Sequence, residues 1–206
     1  MDTMRCFVAV ETPQPVRAAL ADIQAAAGRE LARVDPSNSA ARSLKWVDPS
    51  GIHLTLKFLG PVPSGQIPAI EAALREGCTA LPALSLRLSG LGAFPSPQRA
   101  RVLWVGLGGD LQRLAGLQQC VEATMADLGY EPEARAFSPH LTLARVREEA
   151  MPEDRRRLGE AIARVPPPPP ISFPVDALSL MRSELGRAGA RYTRLALLPL
   201  ASGPKK

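Results

Sequence analysis

The tetrapeptide His-Leu-Thr-Leu stands twice in this chain, at 53–56 and at 140–143, and the two copies hold every histidine among its 206 residues. Each copy lies inside a short run of alternating apolar residues, the pattern of a half-buried β-strand. Successive side chains on a strand point to opposite faces, so His and Thr share one face and the two leucines take the other. In the first copy the same alternation puts Lys57 with His53 and Thr55, and puts Ile52 and Phe58 with the leucines. Two matching strands, each presenting an imidazole and a hydroxyl two residues on, restrict the chain to a fold with two similar halves.

The order of the remaining elements agrees with that restriction. Strands are expected at 5–11, 43–47, 52–59, 83–91, 101–107, 139–146, 172–182 and 190–199. Helices are expected at 13–33, 64–77, 110–128 and 152–164, with Pro13, Ser64 and Asp110 at their starts and Gly129 as a stop. The run Pro166 to Pro170 reads as an extended spacer, a turn is expected from Gly186 to Gly189, and the tail 202–206 as frayed. Helices alternate with strand pairs that short turns join, which gives an α+β class with mostly antiparallel sheet. No long linker divides residues 1–206, so they read as one domain.

Composition narrows the chemistry. Two histidines and three scattered cysteines, Cys6, Cys78 and Cys120, with no CxxC pair, do not supply a His- or Cys-rich metal centre, and neither a metal nor a cofactor is expected. The thiols read as reduced and buried in a cytoplasmic protein. The apolar run from Cys6 to Val10 is too short for a signal peptide, and no window approaches the roughly 18 apolar residues of a spanning helix. A formal net charge of +5 suits phosphate contact, because only Lys45, Lys57, Lys205 and Lys206 of the 25 basic residues are not arginine. No heptads or broad apolar stripe point beyond a monomer.

A lone histidine in a strand is ordinarily a packing residue, but two identical words that contain all the histidine of the chain need another explanation. If a pseudo-two-fold lays the strands side by side, His53, Thr55, His140 and Thr142 converge in one cleft. One imidazole then takes a proton from an attacking water while the other gives a proton to a leaving ribose oxygen, and an unperturbed pKa of about 6.5 lets both forms exist near neutral pH. The threonine hydroxyls donate to non-bridging phosphate oxygens. Which histidine is acid and which is base stays open at this level.

The paired words and their surroundings resemble the 2H phosphoesterase superfamily, in its RNA 2',3'-cyclic phosphodiesterase (2'-5' RNA ligase) branch. The resemblance runs through RCFVAVETP at 5–13, WVDPSGIHLTLKFLG at 46–60, LGAFPSPQRARVLWVG at 91–106, FSPHLTLARV at 137–146 and LMRSELGRAGARYTRLALLPL at 180–200. It implies that residues 1–206 form one bilobal α+β domain, two pseudo-symmetric lobes of mostly antiparallel sheet with helices outside and the active-site cleft between them. It also implies metal-independent opening of terminal 2',3'-cyclic phosphates on RNA or nucleotides to 2'-phosphates, with His53 as proton donor, His140 as proton acceptor, and Thr55 and Thr142 on the phosphate. Arg145 resembles the family's further phosphate or ribose contact, although strict alternation puts it on the leucine face unless the strand bulges. Phe7 and Tyr192 are candidates for stacking on a base or, for Tyr192, bonding a ribose, with core packing as the alternative. Trp46 and Trp104 read as packing residues, and Arg155 to Arg157 as a solvated helix face with RNA-backbone contact as the alternative. Two other readings stand beside the hydrolase: 2'-5' ligation as the main role, and a binding module for RNA ends without turnover.

Overall fold

The structure is a computed structural model that describes residues 2–186 and 189–201; the tip of the turn expected at Gly186–Gly189 and the tail 202–206 lie outside the described residues. In chain order the elements are β1 (Thr3–Glu11), α1 (Gln14–Val34), α2 (Ser39–Arg42), β2 (Leu44–Trp46), β3 (His53–Pro63), α3 (Ile67–Cys78), β4 (Leu84–Phe94), β5 (Val102–Gly109), α4 (Leu111–Asp127), β6 (His140–Val146), α5 (Pro152–Arg164), β7 (Ser172–Val175), β8 (Ala177–Gly186) and β9 (Gly189–Pro199). They form two sheets, ordered β3-β1-β8-β9 and β2-β6-β5-β4-β7. Every ladder is antiparallel.

The four strands of the first sheet match β6-β5-β4-β7 of the second, where β2 is an additional edge strand. In each, a strand (β1 or β5) leads into a long helix (α1 or α4) and then pairs with the strand that carries the His-Leu-Thr-Leu word (β3 or β6). The helices form because apolar residues recur at three- and four-residue spacing: Val16, Leu20, Ile23, Ala27 and Leu31 line the buried side of α1, and Leu114, Leu117, Val121 and Met125 that of α4. α1 packs against α5, and α3 against α4. Gly129 stops the α4 segment in a left-handed conformation, φ 87°, which costs glycine little.

The lobes are not the two halves of the chain. β2, from the first half, adds to the second sheet beside β6, and β8 and β9 return to complete the first. The single strand expected over 172–182 is therefore two: β7 pairs with β4, the chain changes sheet at Asp176, and β8 pairs with β1. The apolar alternation changes phase there, from Phe173 and Val175 to Leu178 and Leu180, as the buried face passes from one sheet to the other. Two expected caps also differ. Ser64 opens a short 3-10 turn ahead of α3 and caps nothing, and the Asp110 carboxylate accepts from the Ser85 backbone N–H at 3.0 Å instead of closing the first turn of α4. The arginine run of α5 is structural: Arg155 donates to the carbonyls of Ala100, Arg147, Glu148 and Ala150, Arg157 pairs with the buried Asp35, and Arg156 pairs with Glu153 and Glu160.

The leucines between His and Thr in both words, Leu54 and Leu141, are 2% and 0% exposed. Truncating either to alanine removes packed methyl groups and leaves a void, so Leu54→Ala and Leu141→Ala are each expected to cost about 2–5 kcal/mol in urea unfolding. Leu197→Ala, at a site 47% exposed, is expected to stay within about 0.5 kcal/mol.

Candidate active site

His53 and His140 are the first residues of β3 and β6, and their strands touch across the lobes. Across their ladders His53 faces Glu11 and His140 faces Gly106, while Thr55 faces Ala9 and Thr142 faces Trp104. The two rings are held alike. His53 Nδ1 lies 2.8 Å from the carbonyl oxygen of Gly51, and His140 Nδ1 lies 2.7 Å from that of Ser138. A carbonyl oxygen only accepts, so Nδ1 carries the proton in both, and Nε2 is left as the one nitrogen that gains or loses a proton in the cleft.

Both ladders slip by one residue at the same place in the word. Ala9 pairs with Thr55 but Val8 with Lys57, leaving Leu56 over; Trp104 pairs with Thr142 but Leu103 with Ala144, leaving Leu143 over. These bulges reverse the alternation beyond the word. Lys57, expected beside His53 and Thr55, instead turns inward and is 4% exposed, while Phe58, expected in the core, is 64% exposed. In the second word Ala144 is buried and Arg145 turns out onto the face of His140 and Thr142. The bulge that Arg145 needed in order to face the site is present.

Aromatic rings fix the imidazoles further. Phe7 stacks on His53 with centroids 4.6 Å apart and planes 25° off parallel, and Tyr192 meets His53 edge-on at 4.8 Å. Phe7 is 2% exposed, in a small cluster with Ala9, Met181 and Tyr192, so the face it offers is already covered by His53. On the other lobe Phe94 meets His140 edge-on at 5.0 Å and leans on Trp104 at 5.1 Å. Trp104 lies across Gly92, where an added Cβ would come within 2.4 Å of its ring. Phe94 and Trp104 were not singled out as site residues from sequence. By register Trp104 and Gly106 correspond to Ala9 and Glu11 of the first lobe, so no aromatic at the matching position of β1 signals Trp104.

Burial pushes the pKa of His53 below its ordinary 6.5, because a charged ring loses hydration among Phe7 and Tyr192; the hydrogen bond to Gly51 opposes the shift, the Arg145 cation adds to it, and the Glu11 carboxylate opposes it. The influence of Arg145, on β6, upon His53, on β3, places the charge of one lobe in the field of the other's imidazole. Beside His53 opens a pocket of about 500 Å³ whose lining includes Glu11, Arg17, Arg191, Tyr192 and Arg194. Glu11 accepts there from Ser179 Oγ at 2.6 Å and Arg194 at 3.1 Å. Among the described residues, no group of three or more His, Cys, Asp or Glu is placed to hold a metal ion, and no helix is long and apolar enough to cross a membrane.

Two histidines with free Nε2 atoms, each followed by a threonine on the same face, on touching strands of a pseudo-symmetric α+β fold, define a bilobal protein of the two-histidine type. The chain belongs to the 2'-5' RNA ligase superfamily, whose family model it matches over residues 12–187. It is 32% identical to an RNA 2',3'-cyclic phosphodiesterase of Methanothermobacter thermautotrophicus over 96% of this chain and 99% of that one, and 33% identical to one of Thermus thermophilus over 93% and 88%. Among solved structures it resembles a Thermus thermophilus protein with a TM-score of 0.75 and 31% identity, covering 97% of this chain and 99% of that one. It also resembles E. coli LigT complexed with 3'-AMP, with a TM-score of 0.69 and 25% identity over 98% and 100%.

The direction of the His53 shift yields a measurement. In the free protein the His53 ring should titrate below 6.5 by NMR, and a nucleoside 2'-monophosphate, by adding negative charge, should move that midpoint upward. A midpoint above 6.5 in the free protein would contradict the buried, ring-flanked geometry.

Proposed function

We propose that the chain opens 2',3'-cyclic phosphates on RNA ends or nucleotides to 2'-phosphates by acid–base catalysis between the two imidazoles. The observation that carries the reading is the matched presentation of His53 and His140, each with Nδ1–H on a backbone carbonyl two residues back and Nε2 free. His140 Nε2 takes a proton from water as its oxygen bonds to phosphorus; the P–O3' bond breaks; His53 Nε2–H protonates the departing O3', leaving a 2'-phosphate and a free 3'-hydroxyl. Thr55 and Thr142 donate to the non-bridging oxygens, and Arg145, turned onto the same face by the bulge, balances the charge that gathers there.

These roles follow the family, and the shape of the cleft supports them. In-line displacement puts water and leaving oxygen on opposite sides of phosphorus, and the leaving oxygen belongs to the nucleoside. The pocket beside His53 is of a size to hold a nucleoside, and its arginines suit the phosphate that precedes it in an RNA chain. That arrangement brings a ribose oxygen to His53 and leaves the His140 side to water, and the family resemblance makes that oxygen O3'. Phe7, covered by His53, serves on this reading to hold the ring, and Tyr192, open to the pocket, meets the ribose or base. The negative charge of the substrate phosphate also offsets the burial that disfavours the His53 imidazolium. By microscopic reversibility the same side chains serve 2'-5' joining. The protein acts on this reading as a monomer in the cytoplasm, where its three free cysteines stay reduced.

Incubation with a nucleoside 2',3'-cyclic phosphate in EDTA tests the proposal. Turnover should persist without divalent metal, and His53→Ala and His140→Ala should each lower kcat by about 100-fold or more while Thr55→Ala and Thr142→Ala lower it less. Activity that needs added metal, or a His140→Ala protein as active as wild type, would overturn it.

A further inference from the structure

The buried residues of α1 and α4 correspond at one constant spacing: Val16 with Leu114, Ala19 with Leu117, Leu20 with Gln118, Ile23 with Val121, and Ala27 with Met125. At that spacing Gln24 corresponds to Glu122. Both cross between the lobes, each to the bulge of the opposite word. Gln24 Nε2 donates to the carbonyl of Leu143, the extra residue of the β6 bulge, at 2.9 Å, and to the carbonyl of Val47 at 2.7 Å. Glu122 accepts from the ammonium of Lys57, the residue that the β3 bulge turns inward, and Lys57 also donates to the Glu131 carbonyl at 2.8 Å.

We propose that these contacts are reciprocal clamps and that Gln24 is a positioning residue for Arg145. A bulge that migrates along its strand reverses every side chain it passes. The Leu143 carbonyl is fixed from two sides, by the Gln24 amide of the other lobe and by the Val47 N–H, which continues the β2–β6 ladder at 2.9 Å, so the extra residue stays at 143 and Arg145 stays on the face of His140 and Thr142. Gln24 is not itself part of the pocket lining, and its hydrogen bonds run to the backbone of Val47 and Leu143. Its effect runs through the backbone of β6, and the inference rests on the role given above to Arg145. Lys57 and Glu122 do the same for the first word with a charge pair in place of an amide, holding Phe58 out beside Phe7, 6.2 Å between ring centroids.

A double-mutant cycle separates positioning from mere stability. Gln24→Met keeps the side-chain length and leaves the Leu143 carbonyl with its Val47 N–H. On a nucleoside 2',3'-cyclic phosphate it should lower kcat/KM about tenfold, mainly through KM, while Arg145→Ala lowers it at least as much. Combined, the two should cost within about twofold of Arg145→Ala alone, because the arginine to be positioned is gone. If the two losses multiply, or Gln24→Met lowers the melting temperature with kcat/KM unchanged, the positioning role is overturned. If Arg145→Ala alone costs nothing, the role of the arginine falls first and this inference with it. Should Gln24→Met fail to fold, Gln24→Asn, which keeps the amide but shortens its reach, carries the same cycle with the same outcomes.

Discussion

A β-strand gives every second side chain to each face, and this site depends on where that rule is broken. Up to the threonine, strict alternation puts the imidazole and the hydroxyl together and buries the leucines between them. One residue later both ladders slip, at Leu56 and at Leu143. Without the slips Lys57 would stand in the cleft and Arg145 would lie against the core. With them, the residue that the bulge turns onto the site face is a cation, Arg145, in one lobe and an aromatic ring, Phe58, in the other. The pseudo-symmetry is therefore one of backbone, and the chemistry built on it is asymmetric.

That asymmetry extends to the imidazoles. The two share a backbone tether, but His53 lies between Phe7 and Tyr192 in a pocket with Glu11 and three arginines, whereas His140 meets Phe94 edge-on and faces a glycine across the ladder. The surroundings of His53 disfavour its imidazolium in the free protein, so the acid role proposed for it depends on the negative charge that a substrate phosphate brings. The sheets that hold the two imidazoles are tied together by strands exchanged between lobes, and by side chains of α1 and α4 that reach across. Relative placement of the lobes is thus set by backbone pairing and buried polar contacts as well as by the shared apolar core.

Much of this was legible in the sequence because it follows from periodicity. The positions of the long helices, the strand nature of both words, the face shared by His and Thr, and the α+β class come from spacing and composition, while the two-lobed arrangement comes from the family resemblance. What was not legible is what periodicity does not encode. A bulge adds one residue without altering local composition, so Lys57 and Phe58 were assigned to the wrong faces. The change of sheet at Asp176 shows in the sequence only as a shift of phase, from Phe173 and Val175 to Leu178 and Leu180, which a bulge within one strand would also give. Phe94 and Trp104 belong to the site through cross-strand register, which depends on pairing partners far away in sequence. The arginines of α5, conspicuous as a charge run, are occupied by carbonyls and carboxylates that only the folded chain brings to them.

The central claim is that O3' leaves toward His53 while water enters from His140. Phosphorus NMR of the product formed from a nucleoside 2',3'-cyclic phosphate, in EDTA, tests it most directly. The account predicts a 2'-phosphate as the sole product of the wild-type protein, and none above background from His53→Ala. A 3'-phosphate product would contradict it, because the bond that broke would then be the one to O2'.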